Sequence, residues 1–378
     1  MTLLLTGLTA APAQVCGGIR LVPLLQGAPC LDVRLERKPF DADLTVVQTS
    51  EKIAYWAFVP HGLVLHWDIE NEEVEVAQGS QLLRADSKKS KYGWGKVQIL
   101  HRMARRVDKK ALRFLPLHTA LEGFLALHFG GPNLKWPEYS GFALSHGLGS
   151  RTEWVHPGGS IYGFEQALRT FEIYQGQVGV MIYVVGALAS VSVFPSPQDY
   201  RRLHSTLLED VYGELIWQYA LMHTQAQRLE NLPRVENAKT LADLRAALNL
   251  ARTEEAQFSL EVMSGDLIGR ELRLEKVYAP GNLLLERFIT DLNPDLPNHI
   301  GERLTRENGE VLYLKTFLLS SVQVRRARLL LNLAVQDWHL ERAAAALKLS
   351  LKQLVLEFET LGFGYLLKPH VLEAAHRR

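Results

Sequence analysis

The sequence predicts an α+β protein in three parts. Residues 1–230 read as an N-terminal domain on a mixed, mainly antiparallel sheet with one long helix. Residues 231–320 read as a connecting region or small α+β domain, and 321–378 as a helix-turn-helix. Three patterns carry this reading. Short aliphatic and β-branched runs, separated by Gly, Pro and Asp, fill the chain to about residue 80. Two apolar runs, Val178 to Val184 and Ala187 to Phe194, flank Gly186 and lead directly into the helix start Ser196-Pro-Gln-Asp. Near the C-terminus, Leu340, Ala343, Ala344 and Leu347 fall at i, i+3, i+4 and i+7, one face of a helix.

With 378 residues the chain is long enough for two or three domains with their own cores. Its 47% hydrophobic and 22% charged residues are ordinary for a globular protein. A net charge of +1 gives the whole chain no attraction to nucleic acid or membrane, so any such surface must come from local segregation of charge. Two cysteines, Cys16 and Cys30, fit a reducing compartment and are too few for a cysteine-built zinc site, with a single disulfide between them as the alternative. Met1 to Gln14 ends in A-P-A-Q, yet it lacks an early Lys or Arg and its apolar run breaks at Thr6 and Gly7. A first strand is expected there rather than an export signal. The run Val178 to Phe194 is too short and too rich in Gly and Ser to span a membrane. A cytoplasmic protein without a membrane partner is therefore expected.

In chain order, Leu21-Val-Pro-Leu-Leu, Leu44-Thr-Val-Val and Leu63-Val-Leu-His-Trp read as strands. Between Arg84 and Arg113 lie Lys88, Lys89, Lys91, Lys96, Arg102, Arg105, Arg106, Lys109 and Lys110, opposed only by Asp86 and Asp108, with Tyr92 and Trp94 among the first of them. Such a run can track phosphates and stack bases, or it is a solvated loop leading into a helix. A short apolar helix from Leu117 ends at Gly130-Gly131-Pro132, and a long loop, Ser140 to Gly163, follows. The helix opened by Ser196 continues to about Leu229 through Leu203, Leu207, Val211, Leu215, Tyr219 and Met222, which makes it about 45 Å long. After a break at Asn231-Leu-Pro-Arg come a helix (Thr240 to Ala256) and strand-like pieces at Phe258–Met263, Glu271–Lys276 and Val311–Phe317. Asn293-Pro-Asp-Leu-Pro-Asn serves as a rigid connector.

Catalytic signals are sparse. None of the 13 histidines pairs at i, i+4 as a zinc-binding helix needs. Phosphate-binding G-x-x-x-x-G-K-S/T, dinucleotide-binding G-x-G-x-x-G and nucleophile G-x-S-x-G patterns are absent. Glu153 and His156, three apart in the long loop, form an arrangement in which a carboxylate could orient an imidazole as a base. No cofactor and no metal site is expected.

At the C-terminus, Val324, Ala327, Leu331, Ala334 and Val335 mark a first helix and Leu340 to Leu347 a second. Leu351, Leu354, Val355, Phe358 and Leu361 mark a third. Ser350 with Gln353 forms a capping box, and Gly362 suits a left-handed stop. From Arg342 to Phe363 the run R-A-A-A-A-L-K-L-S-L-K-Q-L-V-L-E-F-E-T-L-G-F resembles the Fis-type C-terminal helix-turn-helix. The resemblance implies that Ser350 to Glu359 enters the major groove. The exposed side of that helix departs from the basic family pattern, offering Lys352 and Gln353 and then Glu357 and Glu359. Carboxylates meet phosphate unfavourably unless they accept from a cytosine amine, so Arg325, Arg326 and Arg328, with Arg377 and Arg378, would supply backbone contacts.

A second resemblance covers residue 16 to about 225. Gly79-Ser-Gln-Leu-Leu-Arg-Ala-Asp-Ser-Lys-Lys-Ser, and the segment from Gln177 through Val191-Ser-Val-Phe-Pro-Ser-Pro-Gln-Asp-Tyr-Arg-Arg-Leu, resemble elements of the ARG and rhodanese-phosphatase-superfamily-associated protein (ARPP) domains. The resemblance implies a link by gene neighbourhood to ADP-ribosyl hydrolases and stress-response systems, without an assigned catalytic activity.

Together these readings lead to a DNA-associated bacterial regulatory or stress-response protein, non-enzymatic and homodimeric because one such module reads a half-site. Its partner is duplex DNA, with single strands as a further substrate of the basic run. Phosphate contacts are expected from Lys88, Lys89, Lys91, Arg105, Arg106, Arg325, Arg326, Arg328 and Lys352, with Gln353 as a further DNA-binding residue. Two alternatives stand beside it. One is an enzyme or binder of a nucleotide- or ADP-ribose-like ligand using Glu153 and His156. The other is an assembly module whose helical tail docks only on protein.

Overall fold

A computed structural model describes residues 2–28, 30–39, 44–48, 54–58, 61–68, 104–108, 110–114, 171–207, 235, 238–364 and 367–377. β1 (Leu8–Ala10), β2 (Gln14–Cys16) and β3 (Ile19–Gln26) open the chain. β4 (Val33–Pro39), β5 (Leu44–Gln48), β6 (Ala54–Phe58), β7 (His61–Trp67), β8 (Ala104–Asp108) and β9 (Ala111–Phe114) follow. Then come β10 (Gln177–Val184), β11 (Ala187–Val193), α1 (Pro197–Thr206) and α2 (Leu241–Glu261). The chain closes with β12 (Arg273–Tyr278), β13 (Leu283–Ile289), β14 (His299–Arg306) and β15 (Val311–Leu318), then α3 (Ser321–Val335), α4 (Leu340–Ala346), α5 (Leu351–Thr360) and α6 (Pro369–His376).

The protein is α+β, with antiparallel pairing in every strand ladder among the described residues. Its main sheet has nine strands in the order β1-β3-β10-β11-β15-β14-β13-β12, with β2 on β3. A four-stranded sheet runs β4-β7-β9-β8, and β5 pairs with β6. Strands on both sides of residue 231 thus share one sheet. Residues 273–318 supply four of its strands, joined to the N-terminal half where Ser192 and Val193 of β11 meet Lys315 and Leu314 of β15. Two glycines allow this packing. A Cβ on Gly179 would strike the Ser192 carbonyl, and one on Gly301 would lie 2.6 Å from the Phe288 ring.

One expectation is overturned. Phe258–Met263 is not a strand: α2 runs through it to Glu261, and a 3-10 turn, Met263–Asp266, follows. Thr240 caps this helix in a reciprocal box with Asp243, and Ala256 and Ser259 bury at helical spacing against the sheet. The long helix expected to reach Leu229 is described as α1 up to Thr206, and the rest lies outside the described residues.

The core lies on both faces of the main sheet. On one face Leu21, Val180, Ile182, Leu285, Leu304 and Tyr313 pack with Val33 and Leu35 of β4, Leu63 and Leu65 of β7, and Tyr200 and Leu203 of α1. Further along that face, Ile289 and Ile300 pack against the C-terminal helices. The opposite face, with Val22, Met181, Tyr183, Val191, Phe288 and Leu314, is covered by Ala256, Leu267 and the N-terminal Leu3 and Leu5.

Between the two cores on the first face runs a row of charge. Glu275, Arg287, Glu302, Lys315 and Ser192 stand opposite one another across β12, β13, β14, β15 and β11. Arg287 donates to Glu275 at 2.8 Å, and the Tyr313 hydroxyl donates to Glu302 at 3.1 Å. Burial pushes the Glu302 carboxyl up to about 7, against the pull of Lys315, Tyr313 and Arg287.

The start of α1 is tied to the second sheet. Ser196 is its N-cap and Pro197 its first residue, as the sequence predicts. Asp199, fully buried, accepts from Arg34 Nε and Nη2 at 3.0 and 2.9 Å and from the Leu35 N–H at 3.1 Å. Burial pushes its carboxyl upward, while Arg34, Leu35 and Ser196 act in the opposite direction. Neither cysteine is in a disulfide. The Cys30 thiol lies 3.2 Å from Asp32, and burial raises it to about 12, so it stays protonated and unreactive.

Candidate nucleic-acid interface

Local sequence builds the C-terminal helices. Ser320 with Gln323 and Ser350 with Gln353 form reciprocal capping boxes at the starts of α3 and α5. Ala327, Leu330, Leu333, Leu340, Ala343, Ala344, Leu354, Val355 and Phe358 are buried together, as the three- and four-residue spacing predicts. The helices do not stand apart from the sheet, because Ile289 and Ile300 belong to the same core.

Each of the first three helices ends in a left-handed residue followed by a bond back to the preceding turn. Trp338 N–H donates to Leu333 O at 2.7 Å, Leu349 N–H to Ala344 O at 2.9 Å, and Phe363 N–H to Phe358 O at 2.7 Å. The left-handed positions are Asp337 (φ 52°) with Trp338 (φ 63°) after it, Lys348 (φ 58°) and Gly362 (φ 80°). Only the last is the glycine such a stop favours. At the third stop the Phe363 and Phe358 rings meet at 6.3 Å, the apolar contact that commonly accompanies the motif. Lys348 sits in the turn between α4 and α5 with an L side chain in a glycine conformation. Lys348→Gly should therefore raise stability by about 0.5–1 kcal/mol, read as a higher urea midpoint at unchanged slope.

The first turn of α5 is the chemically suitable part. Lys348, Ser350, Leu351, Lys352 and Gln353 are all exposed, and no carboxylate lies among them. The positive end of the helix points the same way. Gln353 Oε1 accepts from Ser350 N–H at 2.8 Å, which leaves its amide N–H groups outward. Lys352 Nζ donates to the Arg377 carbonyl at 2.9 Å, and Glu359, two turns on, bonds His376 at 2.7 Å. The partners are the last residue of α6 and the residue that caps it, and the sequence reading missed this helix. Its signals are Pro369 at the first helical position and Val371, Leu372 and Ala375 at helical spacing. Glu357 and Glu359 thus lie away from the turn that would meet bases.

On α3, Arg325 and Arg328 are exposed. Arg326 differs: its guanidinium stacks 4.6 Å over the Phe363 ring, tying α3 to the end of α5. Among the basic-run residues, Arg105 and Arg106 fall on β8, an edge of the four-stranded sheet. Lys88, Lys89, Lys91, Glu153 and His156 lie outside the described residues. Charge is segregated along the chain: residues 321–378 carry nine Lys and Arg against five Asp and Glu, although the whole chain is only +1. That count was open to the sequence reading. Among the described residues no helix is long and apolar enough to cross a membrane.

β10, β11 and α1, the segment that resembles the end of the ARPP domains, form the middle of the continuous main sheet and the helix that follows it. The ARPP-2 family model matches residues 3–281. The chain belongs to the ARPP-2 family. The match extends past the expected limit near residue 225, through α2 and β12, and ends before β13 and the C-terminal helices. Among curated proteins and among solved structures, none matches this chain.

Proposed function

We propose that the protein is a cytoplasmic, homodimeric DNA-associated regulator of a stress response. Its ARPP-2 domain senses a ligand or partner, and its C-terminal helices form a Fis-type helix-turn-helix that binds duplex DNA. The observation that carries this reading is the exposed, carboxylate-free first turn of α5, with Lys348, Lys352 and Gln353 at its positive end. In that docking geometry the N-terminal residues of the second helix meet base edges. Glutamine suits adenine, lysine suits guanine, and Leu351 suits a thymine methyl. Arg325 and Arg328 supply phosphate contacts.

The test is fluorescence anisotropy with labelled duplex DNA at low and moderate salt. Removing residues 321–378 would strip Ile289 and Ile300 of their cover, so point variants are the cleaner probe. Lys352→Glu with Gln353→Ala should weaken binding at least tenfold, and Arg328→Ala should lower the salt slope by about one. Duplex binding that is absent, or equal in all these variants, would overturn the proposal.

A further inference from the structure

We propose that a cleft at the hairpin end of β12 to β15 binds a small zwitterion, an amino acid or a similar molecule carrying both a carboxylate and an ammonium group. It is separate from the helix-turn-helix, and neither reading depends on the other. The cleft has a volume of about 520 Å³, within the usual range of small-ligand sites. Three chain segments wall it. The first is the N-terminal stretch, whose Leu3 and Leu5 are buried while Thr2, Leu4 and Thr6 face the opening. The others are the turns at Gly281 and Gly309, both with positive φ. Leu284 and Thr305, cross-strand partners, form part of the lining.

Charge in the cleft is balanced but only partly paired. Lys276, Glu286 and Arg303 stand opposite one another across β12, β13 and β14. Arg303 holds Glu286 through Nε at 2.9 Å and Nη2 at 2.8 Å, both side chains about one-tenth exposed. A buried pair gives a fold little that apolar residues would not, and here it presents two fixed, opposite charges to an open cleft. Arg306 is directed elsewhere, to Asp32 at 2.5 Å and Glu310 at 3.2 Å. That leaves Lys276 and Glu307, exposed and opposite in sign, lining one cleft without an ion pair to any described residue. A lone anion would meet two carboxylates, and a lone cation would meet Lys276 and Arg303. A molecule bearing both charges satisfies each side.

The test is thermal unfolding of the full chain with each of the 20 L-amino acids in turn, and with succinate and inorganic phosphate as purely anionic probes, followed by calorimetric titration of any hit. At least one amino acid should raise the melting temperature. Lys276→Gln and Glu307→Gln should keep the unliganded melting temperature and each bind that amino acid about tenfold more weakly. Three results would overturn the proposal: no amino acid shifts the transition, succinate or phosphate shifts it as much, or both variants bind like the parent.

Discussion

Asp199→Ala should lower stability by about 3–5 kcal/mol, a large share of what holds an ordinary domain together. The substitution takes away the buried carboxylate that accepts from Arg34 Nε and Nη2 and leaves the Leu35 N–H without its Asp199 acceptor. It also removes the polar tie between α1 and β4, which then meet only through the apolar packing of Leu35 with Tyr200 and Leu203. Ser196→Ala, which removes the helix cap and the Ser196 contact with the Asp199 side chain but keeps the ion pair, should cost about 1 kcal/mol. Urea unfolding of the two variants gives the comparison. A double replacement, Arg34→Met with Asp199→Leu, should recover much of the loss, because apolar residues of similar size can replace a buried pair. If Asp199→Ala costs no more than Ser196→Ala, the ion pair does not hold the two sheets together.

The second large effect is one of pH. Folding raises the Glu302 carboxyl from its ordinary 4.5 to about 7, so the folded state binds that proton more tightly. This group's contribution is complete below pH 4.5 and is lost as pH rises through 7. His204 and His299 act in the other direction. Burial lowers each from 6.5 to about 4, so their contribution is complete above pH 6.5 and is lost as pH falls to 4. Over the shared window the carboxyl cancels part of what the two imidazoles do. Glu302→Gln should therefore steepen the gain in stability between pH 5 and pH 8 by about 2–3 kcal/mol, measured as unfolding free energy at each pH. An unchanged pH profile would mean that Glu302 is already ionised at pH 5.

What the sequence revealed, and what it hid, divides along the same physical line. The strands at Leu21, Leu44, Leu63, Val178 and Ala187, and the three C-terminal helices, were legible because a local apolar pattern specifies each, helped at the starts of α3 and α5 by capping boxes. β13 and β14 were not. Their centres carry Glu286, Arg287, Glu302 and Arg303, which break the apolar pattern, and those charges are buried by partners on neighbouring strands. Phe258 and Val262 suggested a strand, yet both are exposed, and the helix there is set by Ala256 and Ser259 on its other side. Gly362 announced its helix stop, but Asp337 and Lys348 take the same conformation without a glycine to mark it. At the candidate interface the basic and polar residues could be named from sequence. That α6 would engage Lys352 and Glu359 could not, because both contacts close across the packing of two helices.

The pairing of β3 with β10 sets the order in which the chain can mature. Leu21 lies beside Ile182 and Leu25 beside Gln177, partners about 150 residues further along. Closing so long a loop is entropically slow. During synthesis the apolar stretch from Ile19 to Leu25 is made long before its central neighbour exists, with β1 and β2 as the only main-sheet strands already available to it. By contrast, β12 to β15 and the helices after them contact mainly their sequence neighbours. Residues 273–376 can therefore assemble fastest, although they are made after the other strands of the main sheet, and β1 to β3 wait for β10.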